Sequence, residues 1–183
     1  MQNFNNYYFK ENQDLPDFVM LIGIPGSGKS HWIKQYNTEN KYRVISPDEI
    51  RKEFSGNISD QSQNDKVWKI TKQRVINSLR HGKSVILDAT NTSSQYRKDF
   101  IQNLPNANLK AKVFYVDPEI AKQRIKKDIE DKKDRANVPD DVIDRMQTDL
   151  LHDIKFSGGK VVDASKLEDE GFQIIEGDNN AEF

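Results

Sequence analysis

The sequence predicts a three-layer α/β domain, a parallel sheet of about five strands covered by helices on both faces and extended by a helical lid. Three observations predict it. Short apolar runs rich in β-branched residues recur along the chain, and segments with one-face helical spacing separate them. A glycine-rich loop, 23–30, joins the first apolar run to the first helical segment. The run at 84–87 ends in a carboxylate, Asp88, as strands that feed a ligand site in open α/β sheets do.

Phe18-Val19-Met20-Leu21-Ile22 is continuously apolar, the pattern of a strand buried on both faces. Gly23-Ile24-Pro25-Gly26-Ser27-Gly28-Lys29-Ser30 follows it and matches G-x-x-x-x-G-K-S/T; a helix from about Gly28 to Tyr36 comes next. Glycine lets the backbone turn sharply and approach phosphate oxygens with no Cβ in the way. Successive N–H groups of Gly26, Ser27 and Gly28, with the helix N-terminus, then face the anion. In this pattern Lys29 reaches the β- and γ-phosphates and the Ser30 hydroxyl ligates Mg²⁺. ATP and Mg²⁺ are therefore the expected cofactors, and strand before plus helix after is the context that sets this loop apart from a chance glycine turn.

Val44-Ile45 is a short strand, and Ser46-Pro47-Asp48-Glu49 opens a helix with a capping box and proline at the first helical position. Asp48 then lies near a strand's carboxyl end, where a phosphoryl acceptor needs a carboxylate to take its proton. Arg51, three residues on, shares its helical face and suits an acceptor phosphate or the transferring group. The pair reads equally as a first-turn acid stabilised by the helix dipole, with a surface ion pair. Local sequence leaves both readings open.

The polar stretch Ser55–Asp65 reads as a loop or a mobile helix start, and Asn64–His81 as a helix with Trp68, Val75 and Leu79 on one face. Ser84–Leu87 is a buried strand, and its terminal Asp88 is placed to hold magnesium through water or to orient the acceptor. Thr90-Asn91-Thr92-Ser93 has capping chemistry, with Thr90 and Asn91 as weaker site candidates. The next strand is Ala111–Val116. Helices follow at Glu119–Ile129, striped by Ala121, Ile125 and Ile129, and at Asp140–Ile154, striped by Ile143, Met146, Leu150 and Ile154. Lys126–Asn137 reads as a charged connection between them, and the region Glu119–Ile154 as a mobile lid. Phosphoryl transfer profits from an arginine clamp on developing charge. Arg135 and Arg124 are the candidates, Arg124 toward the nucleotide, with Lys133 behind them. The interleaved acids Asp128, Glu130, Asp131 and Asp134 fit a solvated face as well. Phe172–Ile175 is the last strand.

Composition narrows the chemistry. The chain has 183 residues with 28 Lys+Arg against 29 Asp+Glu, so no global basic field marks a large nucleic-acid footprint, though a small basic cleft fits. Cysteine is absent, which excludes disulfides, thiolate nucleophiles and cysteine-based zinc sites. His31, His81 and His152 lack metal-ligand spacing, and Trp32 and Trp68 fit helix packing better than base stacking. No apolar run approaches the roughly 18–20 residues of a membrane span. Residues 1–17, Asn-rich with Tyr7, Tyr8 and Phe9, lack signal-peptide features and read as a short extension to a domain at 18–183, its aromatics placed to pack on that domain; a cytoplasmic protein is expected.

Together, Gly-x-Pro-Gly-Ser-Gly-Lys-Ser, Ser46-Pro47-Asp48-Glu49-Ile50-Arg51, Val85-Ile86-Leu87-Asp88-Ala89-Thr90-Asn91 and Val138-Pro139-x-x-Val142-Ile143-x-x-Met146 resemble the P-loop kinase domain of phage-type polynucleotide kinases, from about Phe18 to Glu176. The resemblance implies transfer of the ATP γ-phosphoryl group to a hydroxyl, in the best-known members the 5′-hydroxyl of DNA or RNA. It implies Asp48 as general base, Arg51 on the acceptor phosphate or transferring group, Lys29 and Ser30 on nucleotide and metal, Asp88 at the acceptor site, and a lid arginine before Val138. Lys132-Lys133-Asp134-Arg135 departs from the usual arginine arrangement. A D-x-D-x-T phosphatase motif is absent, which implies a kinase-only chain. Competing readings are a small-molecule kinase, zeta-toxin-like kinases included, and a nucleotide-dependent binding module with weak ATPase activity. A GTPase switch fits less well, because no N-K-x-D motif follows the fourth strand.

Overall fold

The computed structural model describes residues 15–56, 58, 62–133 and 135–177. Tyr7, Tyr8, Phe9 and Asp134, and residues 57 and 59–61 of the polar stretch, lie outside them. The first strand, β1 (Asp17–Ile22), leads through the glycine loop to α1 (Lys29–Tyr36). Then come β2 (Arg43–Ile45), α2 (Pro47–Ser55), α3 (Asn64–Arg80), β3 (Val85–Leu87), α4 (Ser94–Ile101) and β4 (Asn108–Val113). The chain continues with α5 (Pro118–Glu130), α6 (Asp140–Asp153), β5 (Lys155–Ser157), β6 (Lys160–Asp163), α7 (Ser165–Asp169) and β7 (Gln173–Ile174).

Five strands form one parallel sheet in the order β2-β3-β1-β4-β7. Because all run the same way, their carboxyl ends share one edge, and the loops after β1, β2, β3 and β4 meet there. β1 is central, with Met20 opposite Leu87 on one side and Ala111 on the other. Its side chains alternate between faces. Phe18, Met20 and Ile22 enter one core with Val75 and Leu79 of α3, Phe100 of α4 and Leu150 of α6. Val19 and Leu21 enter the other, with Ile86 and Phe114, against Trp32 and Ile33 of α1. Two buried faces explain why this strand is apolar without interruption. A third cluster, Ile24, Val116, Ala121, Ile125 and Ile143, ties α5 and α6 beneath the glycine loop.

Several expectations change. The fourth strand lies at Asn108–Val113, three residues earlier than the apolar run suggests. Phe114, whose N–H still donates to Ile22 O of β1 at 2.8 Å, and Val116 are buried past the strand's end, and their burial looks like strand burial in sequence. Ile129 is 41% exposed, so the buried stripe of α5 stops at Ile125. Helix α5 runs on to Glu130, which shortens the charged connection at its amino side to residue 131. Ser46 is the N-cap of α2 with proline next to it, but its side chain makes no capping hydrogen bond. The antiparallel β5–β6 pair, turned at Gly158 and Gly159, and α7 add to the expected elements. Among the described residues no helix is long and apolar enough to cross a membrane.

Candidate active site

The glycine loop curls at the end of β1. Gly26 and Gly28 take φ of +81° and +96°, a region costly for side-chain-bearing residues. Helix α5 presses on Gly26: a Cβ there would sit 3.0 Å from the Ala121 carbonyl oxygen. Lys29 opens α1 and folds back, its Nζ donating to the carbonyls of Gly23 at 2.8 Å and Ile24 at 2.9 Å. Burial lowers the Lys29 ammonium to about 8; Asp88 opposes that shift, Arg135 reinforces it, and Asp48 opposes it. These influences place Lys29, Asp88, Arg135 and Asp48 in one electrostatic neighbourhood. Ser27 is buried in the loop, and Ser30 is exposed in the first turn of α1.

The loops after β2 and β3 supply the acids. The Asp88 N–H donates to Ile45 O at 2.9 Å, fixing the end of β3 against β2. Burial pushes the Asp88 carboxyl up from its ordinary value; Lys29 pulls it down, while Asp48 and Glu49 push it up further. Asp48 stands in the first turn of α2 with its side chain 55% exposed. Arg51 Nη1 donates to Asp48 Oδ1 at 2.5 Å and to Ile58 O at 3.1 Å, and Nη2 donates to Asn64 Oδ1 at 3.1 Å. Arg51 is only 5% exposed, so the plain surface-pair reading fails on its side. It is a buried strut that orients Asp48 and joins α2 to the start of α3.

Behind Asp88, the segment 90–92 is tied to the end of β1. Thr90 O accepts from Gly23 N at 2.9 Å, and Asn91 Nδ2 donates to Leu21 O at 2.7 Å, which anchors this loop to the end of β1. Arg97, fully buried, donates to the carbonyls of Asn91 and Thr92 and pairs with Asp153 at 2.7 Å and Glu170 at 2.8 Å. Sequence reasoning missed Arg97. Its partners lie 56 and 73 positions away, and no local spacing announces them.

On the lid side Arg124 Nη1 donates to Gly26 O at 3.2 Å, which puts Arg124 against the loop backbone. Arg135 pairs with Asp128, which also accepts from Lys133 Nζ at 2.8 Å. Lys133 thus braces the carboxylate that holds Arg135, while Arg135 is the one whose charge acts on Lys29. Of the histidines, His81 Nδ1 lies 2.7 Å from Asn77 O and His152 Nδ1 lies 3.0 Å from Asp153; His31 is exposed. Trp68 packs edge-on against Phe100, and Trp32 stacks on Tyr36. The described residues hold no cluster of three His, Cys, Asp or Glu suited to a metal. The oxygen donors at this edge, the Ser30 hydroxyl and the Asp88 carboxylate, are of the hard type that suits magnesium where phosphates supply further oxygens.

Comparison with known proteins agrees with this geometry. Residues 18–150 match the model of the AAA_33 family, described as an AAA domain. A protein of Acanthamoeba polyphaga mimivirus named as a bifunctional polynucleotide phosphatase/kinase is 32% identical over 90 residues, 47% of this chain and 16% of that protein. A chain in the structure of the Pnkp1/Rnl/Hen1 RNA repair complex superposes with a TM-score of 0.64 at 26% identity, covering 78% of this chain and 46% of that one. A chain from the PezAT toxin–antitoxin system of Streptococcus pneumoniae shares the fold at 19% identity, with a TM-score of 0.57 and coverage of 80% and 64%. The chain therefore spans less than half the length of the first two proteins it resembles. A parallel sheet with a phosphate loop after its central strand, and a family match over most of the chain, place this protein in the AAA_33 family of P-loop domains.

Proposed function

We propose that this protein is an ATP-dependent kinase that transfers the γ-phosphoryl group to a hydroxyl, with the 5′-hydroxyl of a polynucleotide as acceptor. One observation carries the reading: Lys29, Asp88, Asp48 and Arg135 share a single electrostatic neighbourhood at the carboxyl edge of the sheet. A phosphate loop alone fits any nucleotide-binding module. A half-exposed carboxylate held by a buried arginine beside that loop adds a proton acceptor for an incoming hydroxyl. The names of the mimivirus relative and the repair-complex neighbour support the polynucleotide as acceptor.

In this reading the loop N–H groups and Lys29 bind the nucleotide phosphates, and Arg124 backs the loop at Gly26. Asp48 accepts the proton of the acceptor hydroxyl as its oxygen bonds to the γ-phosphorus; the bond to the β-phosphate oxygen breaks and ADP leaves. Arg51 sets the position of Asp48, and Arg135 meets charge developing on the transferred group. Ser30 and Asp88 would hold Mg²⁺, which when bound neutralises phosphate charge. The lid formed by α5 and α6 excludes water from the transfer.

The test is a panel of acceptors with γ-labelled ATP: 5′-hydroxyl DNA, 5′-hydroxyl RNA, the same oligonucleotides already bearing a 5′-phosphate, and a sugar nucleotide. Label on the 5′-hydroxyl oligonucleotides alone is the expected outcome. Label on the sugar nucleotide alone would replace the acceptor, and ATP binding without label on any acceptor would favour a binding module.

A further inference from the structure

Helices α3 and α4 enclose a cleft of about 350 Å³ that the phosphoryl-transfer chemistry does not use. This lies within the roughly 300–1,000 Å³ of small-ligand sites. Its wall is aromatic. Trp68 and Phe100 meet edge to face, with centroids 6.2 Å apart, and the Tyr96 ring at the mouth is 70% exposed. Two lysines, Lys69 and Lys72, line it against one carboxylate, Asp99. Lys72 Nζ lies 5.9 Å from the centre of the Phe100 ring and donates to Asp99 O at 2.7 Å, while the Asp99 carboxylate accepts from Gln95.

Helix α3 links the proposed acceptor site to the cleft. Asn64, at the start of α3, accepts from the same Arg51 that holds Asp48. Trp68 and Lys72 follow Asn64 at four and eight residues, on the same helix face. They lie about 6 and 12 Å along the axis from it. From the other side the cleft is bounded by Asn91, three residues past Asp88. We propose that this cleft takes the single-stranded segment of the acceptor just beyond its 5′-terminal nucleotide. Bases stack on the exposed Tyr96 and on the half-buried Trp68, which the core residue Phe100 backs, and Lys69 and Lys72 meet the phosphates. An exposed tyrosine beside a half-buried tryptophan and two lysines suits sequence-tolerant binding of a single strand. Such a cleft needs only a small local charge, which suits a chain whose net charge is −1.

The proposal rests on the polynucleotide reading of the acceptor, so binding and transfer are measured separately. Fluorescence anisotropy reports binding of labelled 5′-hydroxyl DNA and RNA oligonucleotides to wild type, Tyr96→Ala, Tyr96→Trp and a Lys69→Ala/Lys72→Ala double variant. Transfer from ATP is measured with the same oligonucleotides and with a 3′-phosphorylated mononucleoside. Tyr96→Ala is expected to weaken oligonucleotide binding at least about fivefold, with Tyr96→Trp restoring it. Its KM for the oligonucleotide should rise by that factor relative to the mononucleotide. The double lysine variant should reduce the slope of log affinity against log salt by about 0.7 for each phosphate that a lysine no longer neutralises. Transfer by wild type with unchanged binding by every variant would overturn the cleft and leave the kinase reading standing. Variant-sensitive binding with no transfer to the oligonucleotide would uphold the cleft as a single-strand site and remove the polynucleotide as phosphoryl acceptor. No oligonucleotide binding to wild type would overturn the cleft outright.

Discussion

Burial lowers the Lys29 ammonium to about 8, so in the free protein its charge is present below that pH and fades above it. Nucleotide phosphates favour the charged form and pull the value back up. ATP binding near pH 8 should then take up a proton, and affinity should decline as pH climbs past 8. Titration calorimetry in two buffers of different ionisation enthalpy measures the uptake, and Lys29→Met should abolish it. Arg135 belongs to the same scale. If it meets developing charge, Arg135→Ala should lower kcat by about 10³-fold or more while the Kd for ATP changes little, since an arginine on the transition state contributes on that order. Steady-state kinetics with an ATP-binding titration separates the two quantities. Arg135 and Arg124 stand out in the sequence only as members of a charged stretch. Their separation into one residue near Lys29 and one against Gly26 needs the fold, because helix α5 first has to dock on the loop.

Helix α4 is held to its surroundings by Arg97, whose guanidinium joins Asp153 at the end of α6, Glu170 after α7 and the carbonyls of Asn91 and Thr92. Arg97→Ala takes the guanidinium from two buried carboxylates, a loss of about 3–5 kcal/mol. For a chain of this size that lowers Tm by roughly 6–20 °C. Burial works to raise the Asp153 carboxyl, but hydrogen bonds from Arg97, His152 and Lys166 outweigh it and hold the group below its usual value. A carboxyl depressed in the folded state adds stability above its ordinary value near 3.8, and that stability fades as pH falls through the folded value. Thermal melts from pH 7 down to pH 2 should show Arg97→Ala less stable at neutral pH, with the gap to wild type closing toward the acid end. Elements differ in how well the sequence marks them. The helices at 64–80 and 140–153 carry long one-face stripes and are read almost to their ends. The fourth strand is displaced because Phe114 and Val116 stay buried beyond its end, where the apolar run continues into the loop. The β5–β6 turn does carry a hairpin signal, Gly158-Gly159 between short alternating runs, but each strand is too short to stand out by periodicity.

Across the whole molecule, parallel strands bring the loops after β1, β2 and β3 to one edge, and that single fact assembles Lys29, Asp48 and Asp88 from positions up to 59 residues apart (88 − 29). The acids were legible as candidates because each follows an apolar run. That they act on one another was legible only through the open α/β rule for strand ends. Gly26 couples this edge to the lid. A methyl group there meets the Ala121 backbone and strains a φ of +81°. Gly26→Ala should therefore disturb both loop and α5, weakening ATP binding while the far core of β1 with α3 and α4 stays folded. Backbone hydrogen exchange would locate the change at 23–30 and 118–130. The central claim is that Asp48 takes a proton from a 5′-hydroxyl during phosphoryl transfer. Its most direct test is the rate of label transfer from γ-labelled ATP to a 5′-hydroxyl oligonucleotide, comparing wild type with Asp48→Asn at saturating ATP. Wild type should label the 5′ end, and Asp48→Asn should be slower by about 10²–10⁴-fold with ATP affinity preserved. Equal rates in the two proteins would contradict the account.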